Sequence, residues 1–306
     1  MKAEFKHVPA VSIILPVFKP HPEYLREALA SLRCQTFGDF ECLCIYDAPE
    51  PHITEILAAA SQTDPRIRVV EGNNGGLIEA LNCGLGLARG DFVARMDADD
   101  VSLPNRLERQ LQLMQAGQYD IVGGHYFVID TEGHFLSARV VPMTPEEIAV
   151  TMASTVPFAH PSVMIRREFL RKASLVYGAG KYKVAEDYQL WAQMFERGAR
   201  FGNVDDWIMK YRWVGNSLTR RKEKENRRDR FAIRDEFISN QRTLLKAAAI
   251  SLAKQKINNP EVEENLCLLA WKLATGHGDF KPLVAIRNSG RRSLATGTLR
   301  FFVERN

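Results

Sequence analysis

Residues 73–100 read NNGGLIEALNCGLGLARGDFVARMDADD, and their order is that of one unit of an α/β fold. Asn73, Asn74, Gly75 and Gly76 are turn formers. Residues 77–88 predict a helix, and residues 91–96 predict an apolar strand that ends in Asp97. Three carboxylates, Asp97, Asp99 and Asp100, then fall within four positions.

The same unit recurs on either side of this stretch. Residues 11–15, VSIIL, form a continuous apolar run with β-branched side chains, the pattern of a central strand buried on both faces. After Pro20, His21 and Pro22, the spacing of Leu25, Leu29 and Leu32 predicts a helix to about residue 35. A strand at 40–46, a helix at 53–60 and a strand at 67–70 follow. Beyond the acidic turn, Leu107, Leu111 and Met114 mark another helix. Such alternation predicts an α/β protein with a mostly parallel sheet flanked by helices on both faces, its ligands at the carboxyl ends of the strands.

From residue 121 the pattern is less regular, with a strand over 121–129, a TEG turn, an extended stretch near Val140, and helices around Glu146 and Glu186. This half is expected to shape the acceptor side of the site. Past residues 211–213 come RRKEKENRRDR (220–230) and two amphipathic stretches. Ile233, Phe237, Leu244 and Ala248 share one apolar face, and Val262, Leu266, Leu269 and Leu273 share another. A boundary near 216 is expected, separating an α/β domain over 1–215 from a basic, mainly helical C-terminal extension over 216–306.

Composition narrows the class. In 306 residues, 45% are hydrophobic and 25% charged, as in a soluble globular protein, so disorder is not indicated. Cys34, Cys42, Cys44, Cys83 and Cys267 include no CxxC pair and read as reduced core residues, without a zinc site. The N-terminal apolar run is short, is interrupted by Pro16 and reads as a buried strand. No stretch approaches the roughly 20 apolar residues that span a bilayer, so the expected location is cytoplasmic. Residues 1–219 hold 22 Lys+Arg against 27 Asp+Glu, a net −5, which leaves +9 for residues 220–306. That split suggests an acidic partner for the C-terminal region.

The crowded aspartates need a reason to coexist. Left unpaired, they raise one another's pKa values and oppose compaction, whereas a hard divalent cation ligated by oxygens relieves both effects. The alternative is that they cap the helix that follows. Glu186 and Asp187 open another predicted helix. Either could serve as a base, or both could simply favour the first helical turn.

The string VSIILPVFKP, then Asp47 after the second strand, then residues 73–100, is similar in order and spacing to family 2 glycosyltransferases with the A-type fold. The resemblance covers about residues 10–215. It implies that Pro16, Val17 and Phe18 form one wall of a nucleotide pocket and that Asp47 contacts the base. This chain has Tyr46-Asp47-Ala48-Pro49 where the family usually has an aspartate pair followed by Gly-Ser, and Asp47 can also be read as a turn former. Asn74, Gly75 and Gly76 would let the backbone approach the donor, a role that the same residues could equally lack in an ordinary turn.

The resemblance further implies that Asp99 ligates Mg2+ or Mn2+, with Asp97 near the ribose or a metal-bound water. It makes Asp187 the catalytic base and puts His160 and Glu186 on the acceptor side. Where the family commonly carries a metal-ligating His, this chain has Val214. A base opposite the leaving group implies inversion. The absence of a Gln-x-x-Arg-Trp segment implies that one sugar is added per encounter. The implied partners are a nucleotide-sugar donor, UDP-linked by family weighting, and a glycan or lipid-linked acceptor in polysaccharide or lipopolysaccharide assembly. The basic C-terminal region could then hold the enzyme peripherally on the anionic inner face of the plasma membrane.

Two rivals stand beside this reading. A sugar-phosphate nucleotidyltransferase also uses a parallel sheet and acidic metal ligands, but it would want a Gly-rich basic turn where this chain has Pro16-Val17-Phe18-Lys19-Pro20. A non-catalytic nucleic-acid-binding protein would use the basic runs. Acidic residues interleave them and no nucleic-acid motif accompanies them, so no specific nucleic acid is expected.

Overall fold

The computed structural model describes residues 7–47, 49–182, 184–215 and 222–288. At its centre is β1 (Val11–Phe18), paired in parallel with β2 (Phe40–Asp47) and β4 (Phe92–Arg95), while β2 pairs in parallel with β3 (Ile67–Glu71). Alternation along β1 explains the layers. Val11, Ile13, Leu15 and Val17 pack under α1 (Pro22–Arg33), α2 (Pro51–Thr63) and α4 (Arg106–Gly117). Ile14, on the opposite face, meets α3 (Gly76–Leu87). Side chains of successive strand residues point to opposite faces, so one apolar run feeds two cores.

The second half of the sheet is mixed. Beyond β4 lie β8 (Met164–Arg166), antiparallel to both β4 and β6 (Ile121–Ile129), and then β9 (Phe201–Arg212), parallel to β6. The short β5 (Val101–Ser102) pairs antiparallel with β9, and β7 (Phe135–Arg139) with β6. Among the described residues the nine strands form one sheet, ordered β3-β2-β1-β4-β8-β6-β9-β5 with β7 beside β6.

The strand β9 was not among the strands expected from the sequence. Asp205 and Asp206 interrupt its apolar pattern, and the ladder shifts register there, with Gly124 opposite Val204 and His125 opposite Trp207. The two aspartates are set out of the pairing as a bulge. Asp206 is held by Asn105 and Arg109, and Asp205 by His125.

On the α3 side lie α5 (Pro145–Met152), α6 (Arg167–Ala173) and α7 (Glu186–Glu196). A capping box between Thr144 and Glu147 starts α5. The C-terminal helices are α8 (Glu223–Asn240), α9 (Arg242–Ala253), α10 (Pro260–His277) and α11 (Lys281–Asn288). Their apolar residues Leu245, Ala249, Leu266 and Leu269 share one cluster with Ile148, Met152 and Trp191, so they complete the core of the sheet's α5 face.

Two expectations need correction. The first amphipathic stretch is two helices, because the chain leaves helical geometry at Gln241 (φ −107°). The change of phase buries Leu245 and leaves Leu244, expected on the apolar face, 44% exposed. Not all the cysteines lie in the core either, since Cys34 at the end of α1 is exposed. Cys42 and Cys44 are buried with their sulfurs 3.8 Å apart on one face of β2. The expected boundary at 216 falls in the segment 216–221, and most of the basic end, 289–306, likewise lies outside the described residues, as does Ala48. Among the described residues no helix is long and apolar enough to cross a membrane.

Candidate active site

The parallel register brings the ends of β1, β2 and β4 to one edge, with Phe18 opposite Asp47 and Ile14 opposite Arg95. Phe18 is 52% exposed there. Val17 packs in the core beneath α1, so at this edge it offers backbone, beside the half-buried Pro16.

Asp47 is buried, and its two carboxylate oxygens accept the N–H groups of Asn74 and Gly76, each at 3.2 Å. It therefore ties the loop between β3 and α3 to the end of β2, joining three residues picked out from the sequence. The loop needs its composition, since Asn74 (φ 59°) and Gly76 (φ 80°) are both left-handed. Gly72 admits no side chain, because a Cβ there would sit 1.8 Å from Asp47 Oδ1. Asn74 and Gly75 are exposed at the edge.

The acidic turn follows β4. The helix after it begins only at Arg106, with Asn105 at its N-cap, so the aspartates are not its caps. Oxygens of Asp97, Asp99 and Asp100 all lie within 4.8 Å of one another. Burial, then the charge of Asp97, pushes Asp99 up to about 6. Asp100 is raised too, by burial and then by the other two carboxylates. Its Oδ1 accepts the N–H of Arg212 at 2.8 Å, while its buried Oδ2 has no partner among the described residues. Crowded, dehydrated oxygens with one unpaired lone-pair site are a donor set that fits a hard divalent cation.

Two arginines without an assigned role in the sequence reading organise this turn. Arg95, buried at the end of β4, grips Asp97 through its two terminal guanidinium nitrogens, at 2.6 and 2.5 Å. Arg212, at the end of β9, donates from Nε to the Asp99 carbonyl at 2.9 Å, reaches the carbonyls of Asp130 and Thr131, pairs with Glu27 and stacks on Tyr24. Arg95 could have been noticed as a charge inside a four-residue buried strand, FVAR. Arg212 lies in the segment around Val214 that resembles the family, but its role was not legible there, since its partners come from distant segments.

The helix α7 opens with Glu186 and Asp187. Glu186 is 8% exposed and is pushed up to about 8 by burial and then by the negative charge of Asp187. Its Oε1 lies 3.8 Å from Nδ1 of His160, whose other ring nitrogen is 3.2 Å from the Tyr177 hydroxyl. Burial, then the charge of Arg95, lowers His160 well below the ordinary imidazole value. Both shifts favour the neutral form of their group in the Glu186–His160 contact. Asp187 is the half-exposed member of the carboxylate pair, and its Oδ1 accepts the N–H of Tyr188 at 2.7 Å. After burial and Asp187, the charges of Arg95 and Asp97 also act on Glu186, so the start of α7 lies within electrostatic reach of the acidic turn.

Comparison with known proteins gives this geometry its setting. The chain is 31% identical over 216 residues to EpsE of Bacillus subtilis (strain 168), which carries a glycosyltransferase name, a match covering 70% of this chain and 76% of that one. It is 29% identical to the amylovoran biosynthesis glycosyltransferase AmsE of Erwinia amylovora, covering 69% of this chain and 79% of the relative. For the O-antigen biosynthesis glycosyltransferase WbnJ of Escherichia coli the identity is 28%, covering 69% and 82%. Among solved structures, residues 1–349 of S. aureus TarS in complex with UDP match with a TM-score of 0.56 at 16% identity, covering 87% of this chain and 72% of that one. The mannosyltransferase PcManGT of Pyrobaculum calidifontis, in complex with GDP-Man and Mn2+, matches with a TM-score of 0.58 at 15% identity, covering 97% and 84%. At those identities the structures establish the shared fold, with its helical C-terminal region, and no more. The family model described as "Glycosyl transferase family 2" matches residues 12–173, which span β1, the loop held by Asp47, the acidic turn and His160. An acidic turn at the carboxyl edge of this sheet, a family match over more than half the chain and a relative above 30% identity agree, and the protein belongs to glycosyl transferase family 2 as a glycosyltransferase.

Proposed function

We propose that this enzyme moves one sugar per encounter, with inversion, from a uridine diphosphate sugar to a hydroxyl of a glycan or lipid-linked acceptor in polysaccharide or lipopolysaccharide assembly. The observation that carries the reading is the Asp97–Asp99–Asp100 turn at the carboxyl edge of the sheet, with its oxygens within 4.8 Å of one another and Asp97 held by Arg95. Glycan-assembly names among the relatives support the acceptor class, and a UDP complex of similar fold supports the donor.

In this mechanism the catalytic domain is residues 1–215. Pro16, Val17 and Phe18 wall the nucleotide pocket. Asp47, expected from the resemblance to contact the base, is buried with both oxygens on loop amides, so it acts on the donor by holding the Asn74–Gly75–Gly76 loop, whose backbone approaches the donor. Asp99, with Asp97 and Asp100, would hold Mg2+ or Mn2+. Such an ion, when bound, supplies Lewis-acid neutralisation of the departing diphosphate. Arg95 restrains Asp97, so Asp99 and the free oxygen of Asp100 offer the more available ligand atoms, consistent with Val214 standing in the place of the common His.

Asp187 acts as the general base. The N–H of Tyr188 orients its carboxylate, and Asp187 takes the acceptor's hydroxyl proton as that oxygen bonds to the anomeric carbon. The bond from that carbon to the diphosphate breaks on the opposite face, which inverts the centre. Glu186 and His160, each favouring its neutral form, line the acceptor side without adding a second full negative charge beside Asp187.

The test is binding and hydrolysis of UDP- and GDP-sugars with Mg2+, Mn2+ or EDTA, on the wild type, Asp99→Ala and Asp187→Ala. The reading expects metal-dependent binding of a UDP-sugar, weakened by Asp99→Ala, with turnover alone lost in Asp187→Ala. Failure to bind any nucleotide sugar with any metal overturns it. The basic extension, 216–306, is assigned to an anionic membrane surface at the inner face of the plasma membrane. Indifference of the full chain to anionic vesicles at low salt would remove that assignment.

A further inference from the structure

Tyr177 stands where the two halves of the fold meet. Its backbone is clamped to α3, where the Asn82 side chain accepts its N–H at 3.0 Å and donates to its carbonyl at 3.0 Å. Asn82 lies six residues past Gly76, the first residue of α3, so about 9 Å of helix separates it from the loop that Asp47 holds. The next residue tightens the join. Gly178 is left-handed (φ 65°), and a Cβ there would sit 2.8 Å from Cγ2 of Ile78, one turn earlier on α3.

The side chain of Tyr177 reaches the other way. It is 3% exposed, and its hydroxyl lies 3.2 Å from Nε2 of His160, its one hydrogen-bond partner among the described residues. The imidazole and phenol centroids are 5.4 Å apart, and both rings pack edge-on against Trp191 of α7, at 5.9 and 6.4 Å. The other imidazole nitrogen, Nδ1, faces Oε1 of Glu186 at 3.8 Å, and Glu186 immediately precedes Asp187.

Hydrogen placement gives this row a direction. Burial, opposed by Arg95 and reinforced by Asp187 and Glu186, raises the Tyr177 phenol, so it keeps its proton at neutral pH. Burial, then Arg95, lowers His160, so its imidazole is neutral and carries one N–H. A hydrogen on Nε2 would leave the enclosed Tyr177 O–H without an acceptor, the costly arrangement for a buried donor. Tyr177 therefore donates to Nε2, and the N–H on Nδ1 is aimed at Glu186.

We infer that Tyr177 is a positioning residue: clamped by Asn82, it holds His160 as the Nδ1–H tautomer against Glu186 and so fixes the first turn of α7, from which Asp187 acts. The role of Asp187 rests on the reaction proposed above, whereas the tautomer of His160 does not. The test is Tyr177→Phe in the full chain, which keeps the ring and removes the hydroxyl. Long-range proton–nitrogen NMR at neutral pH reads the His160 ring, its signals identified by their loss in His160→Gln. In wild type Nδ1 should carry the hydrogen, and in Tyr177→Phe it should move to Nε2, its usual site in a free imidazole. Hydrolysis of UDP-glucose or UDP-N-acetylglucosamine with Mn2+ should fall about tenfold in kcat, with KM within about twofold. Asn82→Ala, which frees the Tyr177 backbone, should move both readouts the same way. An unchanged tautomer in Tyr177→Phe, or a shifted tautomer with unchanged kcat, overturns the inference. If wild type hydrolyses neither nucleotide sugar while the tautomer shifts as expected, Tyr177 still positions His160 and the failure belongs to the proposed reaction.

Discussion

Glu41 offers a separation of fold from chemistry. It lies near the start of β2, six residues before Asp47, so about 20 Å of strand separates it from the active-site edge. Its side chain is 3% exposed. Burial alone would raise its pKa, but the side chain and backbone N–H of Arg89, then Arg68 and Ser12, outweigh burial and lower it from 4.5 to about 2. At 1.36 kcal/mol per pH unit that lowering corresponds to about 3.4 kcal/mol. Arg68 and Arg89 are themselves 39% and 42% exposed, and solvent screening of such partners reduces the expectation to roughly 2–3 kcal/mol. Because the folded-state pKa is depressed, this stability is present above about pH 4.5 and is lost as pH falls towards 2. Urea denaturation of wild type and Glu41→Gln, from pH 7 to pH 3, measures it. The gap should be widest at pH 7 and shrink by about half at pH 3, with the KM for the donor unchanged. A gap below about 0.5 kcal/mol at pH 7, or one that does not vary with pH, refutes the assignment of this network as a charge-assisted staple of β1, β2 and β3.

Other outcomes follow from the site itself. Asp187→Asn should lower kcat by roughly 10²–10⁴ while the donor KM stays within about twofold, as steady-state kinetics with saturating acceptor will report. Gly72→Ala places a methyl group against Asp47 Oδ1, so thermal melts should show a loss of about 1–3 kcal/mol and nucleotide titrations a weakened donor. Arg212→Lys removes the planar fork that holds the acidic turn, and calorimetric titration should find metal-dependent nucleotide binding weakened by at least about tenfold.

Much of the parallel half was legible because its signals are local. The apolar run of β1, the leucine spacing of α1 and the turn residues of 73–76 each specify one element without reference to the rest of the chain. Asp47, Asn74 and Gly76 were named from the sequence singly, and only the folded loop discloses that the carboxylate holds the two amides. The strand β9 was hidden because its two central aspartates break the pattern, and what tolerates them is a bulge and partners from β6 and α4. Leu244 and Leu245 exchanged places because a single non-helical residue, Gln241, resets the angular phase of every residue after it.

Composition, strand-helix alternation and the spacing of three aspartates were by themselves enough to determine an α/β fold with a carboxylate-rich site at the strand ends, since covalent order dictates local conformation and the apolar pattern dictates which faces are buried. Tertiary structure alone decided that Arg95 holds Asp97 within electrostatic reach of Glu186, that Arg212 anchors the acidic turn, and that Asn82 on α3 clamps the backbone of Tyr177 beside His160. These depend on groups far apart in the chain being dehydrated together, and the strength of a charge interaction is set by that shared burial rather than by the residues' order.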